Sequence, residues 1–304
     1  MSPGYIPAFT LEPIKPPEHL RPVAPVSNRP RFIDDVAAGQ IALPTIPSVV
    51  QRLIIALGDP DIDFRVVSAE LSKDPVLSAK VLRLATSSHF GGQRAMASIE
   101  SAVSLIGATA LKRLVVACGV SSAIASAPGI DLDSFWREAM VTATAANKLA
   151  SHCGADAEEA FLCGLLHSAG HLILCCSYPE IADAMFTGFA PVRGAELAAI
   201  EDEVFGIDHA KVGQIWVECL GFPKSVGAAI GNALQPVGTQ LGALDMTLLS
   251  ACSLTRAVLR DDSAELALAG LPKGLRAKFV DTEDQPNEAF SRLVEGLGQI
   301  QPMG

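Results

Sequence analysis

The stretch from Gly164 to Leu174, "GLLHSAGHLIL", carries two imidazoles, His167 and His171, inside an otherwise apolar run. Four residues apart on an α-helix, they share one face, and imidazole nitrogen is a common ligand for zinc and other transition metals. A histidine closing an apolar helix and followed by an aspartate would offer a divalent cation an imidazole and a carboxylate together. Here the following residue is Ser168, whose neutral hydroxyl brings no charge to offset the desolvation of a dication. The His-x-x-x-His spacing also lacks the intervening glutamate of the zinc-peptidase pattern. His209 stands after Asp208 in "DHAKVGQIWVECLG"; aspartate is a preferred N-cap, so this histidine reads as a structural residue at a helix start. Other chemistry-bearing spots have bland readings. Gly91-Gly92 lies in no phosphate-binding glycine pattern and reads as a tight loop. Ser87 and Ser88 have no base beside them in sequence, and Lys112-Arg113 reads as a solvated face.

The elements that must position these residues are helices. The 304-residue chain is 49% hydrophobic but only 5% aromatic, and its apolar residues recur at three and four rather than two. "TIPSVVQRLIIALGD" places Ile46, Val49, Val50, Leu53, Ile54 and Leu57 on one face and stops at Gly58. Asp74-Pro75 is an N-cap followed by proline at the first helical position. Ser98 precedes "IESAVSLIG", closed by Gly107, and "ATALKRLVVACGVSSAIA" continues as a longer helix. After the break "SAPGIDLDS", helices are predicted over 135–153, 157–176, 179–187, 194–205, 209–219, 223–234 and 241–259, with a last short one near 287–297.

The fold class is all-α, two consecutive helical bundles. Residues 1–30 hold eight prolines and read as an extended arm. Residues 31–128 form the first bundle, 129–260 the second, and 261–304 an acidic extension.

Composition narrows the partners. With 23 Lys and Arg against 33 Asp and Glu, the net charge is -10. Such a chain lacks the positive field behind nucleic-acid affinity and is repelled by anionic lipid. No uninterrupted apolar run reaches the length of a membrane span, and prolines break the opening residues before a secretory core can form. The seven cysteines, odd in number and without C-x-x-C, read as reduced, mostly buried thiols of a cytoplasmic protein.

Four segments in order, Leu43-Pro44-x-x-Pro47, Asp74-Pro75, "VLRLATSSHFG" and "SIESAVSLIG", resemble the opening half of HDOD domains. "FWREAM", "AFLCGLLHSAGHLIL", "EVFGIDHAKVGQIWVECLGFP" and "AAIGNALQP" resemble that family's second, HD-related half. The resemblance covers roughly residues 35 to 260. It implies a second bundle like that of HD metal-dependent phosphohydrolases, in a family regarded as non-catalytic and found in bacterial signalling proteins.

The resemblance also locates the metal ligands of the enzymatic relatives. Glu138 stands where their first histidine would sit, His167 matches the histidine of the His-Asp pair, Ser168 replaces the aspartate, and Cys252 falls on the later aspartate. Two readings follow. In one, the site is vacated: Glu138, His167, Ser168, His209 and Cys252 line an emptied pocket, His167 is satisfied by backbone or by Glu138, Cys252 is a core thiol and His171 packs or faces solvent. No metal or cofactor is then expected, and the chain is a stand-alone regulatory module that binds a signalling protein or a small nucleotide effector without turnover. In the other, Glu138, His167, His171 and Cys252 rebuild a mononuclear site of a divergent phosphohydrolase acting on a nucleotide or phosphoester.

Overall fold

The computed structural model describes residues 31–56, 64–85, 99–186, 193–234, 241–281 and 285–301. The proline-rich arm, the Gly58 stop, Ser87, Ser88, the Gly91-Gly92 turn and the Ser98 cap lie outside the described residues. The first bundle comprises α1 (Phe32–Ala37), α2 (Ser48–Ala56), α3 (Phe64–Leu71), α4 (Pro75–Ala85) and α5 (Ile99–Ala123). Local chemistry explains where several of these begin and bend. Asp74 Oδ1 accepts the N–H groups of Val76 and Leu77 at 3.1 and 2.9 Å, and Pro75 opens α4. The two helices anticipated on either side of Gly107 run as one element whose backbone leaves helical geometry at that glycine, with φ 79° and ψ 167°. α1 and α3, each under nine residues, were not marked by periodicity.

The second bundle runs through α6 (Leu132–Cys153), α7 (Ala157–Leu166), α8 (Ala169–Ser177), α9 (Pro179–Phe186), α10 (Gly194–Phe205), α11 (His209–Cys219), α12 (Lys224–Gly231) and α13 (Ala243–Leu259). The single helix expected over 157–176 is in fact two, parted at His167 and Ser168. This run also corrects the membrane reading: Ala157–Ser177 is long and apolar enough to span a bilayer, but 72% of its most apolar window is buried inside the protein. Its apolarity serves the core. The acidic extension is more ordered than its composition suggested. It forms α14 (Ala264–Ala269), α15 (Lys273–Arg276) and α16 (Glu288–Gly298), burying Phe290, Leu297 and Ile300, and Arg137 Nε on α6 donates to the Ile300 carbonyl at 2.9 Å.

The bundles share one continuous apolar core that runs from Phe32 to Ile300. Polar ties cross the junction. Tyr178 Oη donates to Asp35 at 2.6 Å, and Arg113, half-buried rather than on a solvated face, pairs with Glu158 and lies over the Phe161 ring. Cysteine burial is likewise more mixed than expected: Cys118, Cys163 and Cys175 are buried, Cys176 and Cys219 exposed, and all seven are free thiols.

Trp216 Nε1 donates to the Pro44 carbonyl at 2.7 Å, so the Leu43-Pro44 entry of the first bundle is moored on α11 of the second. Trp216→Phe keeps an aromatic ring in this fully buried socket but leaves the Pro44 carbonyl without its donor. Urea unfolding should show a loss of about 1–2 kcal/mol; an unchanged midpoint would mean that this bond contributes nothing to the junction.

Candidate functional site

One cavity of about 230 Å³ opens between α6, the α7–α8 break, the start of α10 and α13. Its walls include Glu138, His167, Ser168, His209 and Cys252, and also His171. The six positions that sequence singled out are thus neighbours in space, although Glu138 on α6 and Cys252 on α13 are more than a hundred residues apart. His167 and Ser168, at the break between α7 and α8, both line the cavity. Two glycines of the same stretch let the helices close in: a Cβ on Gly164 would meet the Ala143 backbone at 2.6 Å, and one on Gly170 the His209 carbonyl at 2.0 Å.

Behind the cavity wall sits Glu201, fully buried on α10. Its Oε1 accepts His171 Nδ1–H at 2.7 Å, and its Oε2 accepts both the His209 Nδ1–H at 2.5 Å and the His209 backbone N–H at 2.8 Å. Burial pushes this carboxyl toward neutrality, but the two histidines outweigh it and hold the group down at about 2. A carboxylate accepts only, so each histidine must present its Nδ1 proton to it. Of the two placements anticipated for His171, packed or facing solvent, the residue takes the first, held in a polar network at 6% exposure.

His167 uses Nδ1–H to reach the Gly164 carbonyl at 2.8 Å. Burial disfavours its charged form, yet the Cys252 sulfur, which also hydrogen-bonds to it, the Gly164 carbonyl and the Glu138 charge together raise it to about 9. Glu138 in turn is taken by Arg193, whose Nε donates at 2.7 and 3.0 Å to its two oxygens across the cavity. Beneath them, the buried Thr142 hydroxyl bonds to Thr255 at 3.0 Å and ties α6 to α13.

Among the described residues no group of three or more His, Cys, Asp or Glu side chains has the arrangement of a metal site; His171, Glu201 and His209 meet as a hydrogen-bonded network instead. Glu138 is paired with Arg193, Ser168 brings no charge, and His171 and His209 give their Nδ1 protons to Glu201, which fixes the orientation of both rings. The four residues of the mononuclear alternative, Glu138, His167, His171 and Cys252, all line this one cavity.

Sequence reasoning missed Glu201, Arg193, Thr142 and Thr255. Glu201 did leave a signal, because it falls in the buried stripe Leu197, Ala198, Ile200, Val204 and Phe205 of α10. A charge inside an apolar stripe demands a partner. Arg193 left none, since its carboxylate lies 55 residues away.

Comparison with known proteins places this architecture. A model of the HDOD domain matches residues 43–236. A "putative phosphohydrolase" of Shewanella amazonensis is 27% identical, with 88% of this chain and 95% of that chain covered at a TM-score of 0.68. An HDOD domain protein of unknown function from Geobacter sulfurreducens (19% identity, 87% and 91% coverage, TM-score 0.63) shares the fold. So does a "putative signal transduction protein" of Marinobacter aquaeolei (24%, 93% and 62%, 0.63). An uncharacterized protein of Treponema pallidum is 25% identical over 186 residues, 60% of this chain, and the chain spans only 36% of that relative's length. With the family model covering more than half of its length, and with an all-helical pair of bundles to match, the chain belongs to the HDOD domain family.

Proposed function

We propose that this chain is a regulatory module of signal transduction, one that binds a protein partner or a small effector without chemical turnover. The observation that carries the reading is the Glu138–Arg193 ion pair. Where the enzymatic relatives of the family would place a metal-binding histidine, this chain has a carboxylate already neutralised by a guanidinium. A cation entering there would have to break that pair and would find Ser168 in place of a second carboxylate. The kinship to a signal transduction protein of the same fold agrees with a regulatory role.

The test is elemental analysis of protein purified without chelator, with phosphodiester hydrolysis assayed in added manganese. The expected result is metal far below one ion per chain and no hydrolysis above the metal-only blank. Capture of a signalling protein that persists in His167→Ala would support binding without turnover. Stoichiometric metal that disappears in His167→Ala, or hydrolysis that requires the protein, would replace this reading with that of a divergent phosphohydrolase, the activity named for the Shewanella relative.

A further inference from the structure

The two arginines on the rim of the cavity are not equally paired. Arg193 and Gly194 form its rim at the start of α10, and Arg256 rises beside them from the last turn of α13. The Arg256 guanidinium lies 3.7 Å from where a Cβ on Gly194 would be, so the two arginines flank one glycine. Only Arg193 has a carboxylate partner, Glu138; Arg256 has no ion pair among the described residues. Asp131, the remaining acid on the rim, is occupied at the head of α6, where it accepts from the Asp133 N–H at 3.2 Å and the Ser134 hydroxyl at 2.6 Å. Apolar side chains of the lining, Phe135, Leu197 and Leu249, come from the same three helices, α6, α10 and α13.

We propose that this cavity binds a small phosphate monoester, with the phosphate between Arg193 and Arg256 and a compact apolar body against Phe135, Leu197 and Leu249. The site rests on the non-catalytic reading above and names the class of effector. Glu138 makes the choice of anion. It is a carboxylate tethered to the site and already seated on Arg193, so a free monocarboxylate gains little by replacing it. A phosphate monoester is nearly dianionic at neutral pH and has three acceptor oxygens. It can engage both guanidiniums at once, including the one Glu138 leaves unused, and arginine forks match phosphate geometry. The apolar body then covers surface that the ion pair cannot.

Isothermal titration of the full chain with phenyl phosphate, inorganic phosphate and benzoate tests this, with released phosphate assayed in parallel. Phenyl phosphate should bind more tightly than inorganic phosphate, and benzoate weakly or not at all. Arg256→Ala, at an exposed position that leaves the core intact, should weaken phenyl phosphate by about tenfold or more. Glu138→Gln, which removes the tethered competitor, should tighten it by a similar factor. Failure of phenyl phosphate to bind either wild type or Glu138→Gln at millimolar concentration, or equal affinity in Arg256→Ala, overturns the site and leaves the module reading standing. Arginine-dependent binding accompanied by phosphate release upholds the site and overturns the non-catalytic reading instead.

Discussion

Glu201→Ala is expected to be the most damaging single substitution near the cavity, lowering the unfolding free energy by about 3–5 kcal/mol. The carboxylate is fully buried and accepts three hydrogen bonds, two from imidazoles and one from the His209 backbone. Its removal leaves those donors facing a void of low polarity, each with its desolvation penalty unrecovered. Glu201→Gln keeps the shape but puts an amide where two N–H donors converge, so it should cost less than alanine and still destabilise. Acid titration separates the charge from the shape. Because the carboxyl is held at about 2 in the folded protein against 4.5 for the free side chain, its contribution is complete above pH 4.5 and is lost as pH falls toward 2. The wild type should therefore lose about 3 kcal/mol over that window that Glu201→Gln does not lose. Parallel acid unfolding curves for the two proteins would show that the network carries no such charge.

Glu201 also marks the limit of what the sequence discloses. Signals that act within one turn of helix are legible: Asp74 and Pro75 open α4, Asp208 caps α11 by accepting the Lys211 N–H, and Asn287 caps α16 by accepting the Phe290 N–H. Gly107 announced a break and the backbone breaks there. The short helices α14 and α15 carry too few residues for a periodic stripe; α14 packs on α13 and α16, burying Ala267 and Leu268, and α15 buries Leu275. Within the cavity, the residues around His167 followed from family resemblance, whereas the Glu138–Arg193 pair joins α6 to the head of α10 and no local pattern encodes it. The split of 157–176 at His167 was hidden because both halves are equally apolar; only the glycines on either side hint at how tightly the backbones meet.

That meeting point yields the second large effect. Gly170→Ala should destabilise the protein by about 2–4 kcal/mol, at the upper end of what overpacking costs. The added methyl would lie 2.0 Å from the His209 carbonyl oxygen and 2.7 Å from the Gly213 nitrogen, and both are backbone atoms of α11 that cannot rotate aside. α8 and α11 must separate. His209 rides on the displaced segment while Glu201 stays on α10, so the bonds between them lengthen and part of the cost appears as a weakened buried network. Gly296→Ala supplies the opposite sign on the same scaffold. That glycine is exposed within α16 and a Cβ there meets nothing within 4 Å, so alanine should stabilise by about 0.5–1 kcal/mol through helix propensity and a less flexible unfolded chain. Denaturant unfolding of the two variants should move the midpoint in opposite directions. If Gly170→Ala were as stable as wild type, the backbone contact between α8 and α11 would not be what holds His209 against Glu201.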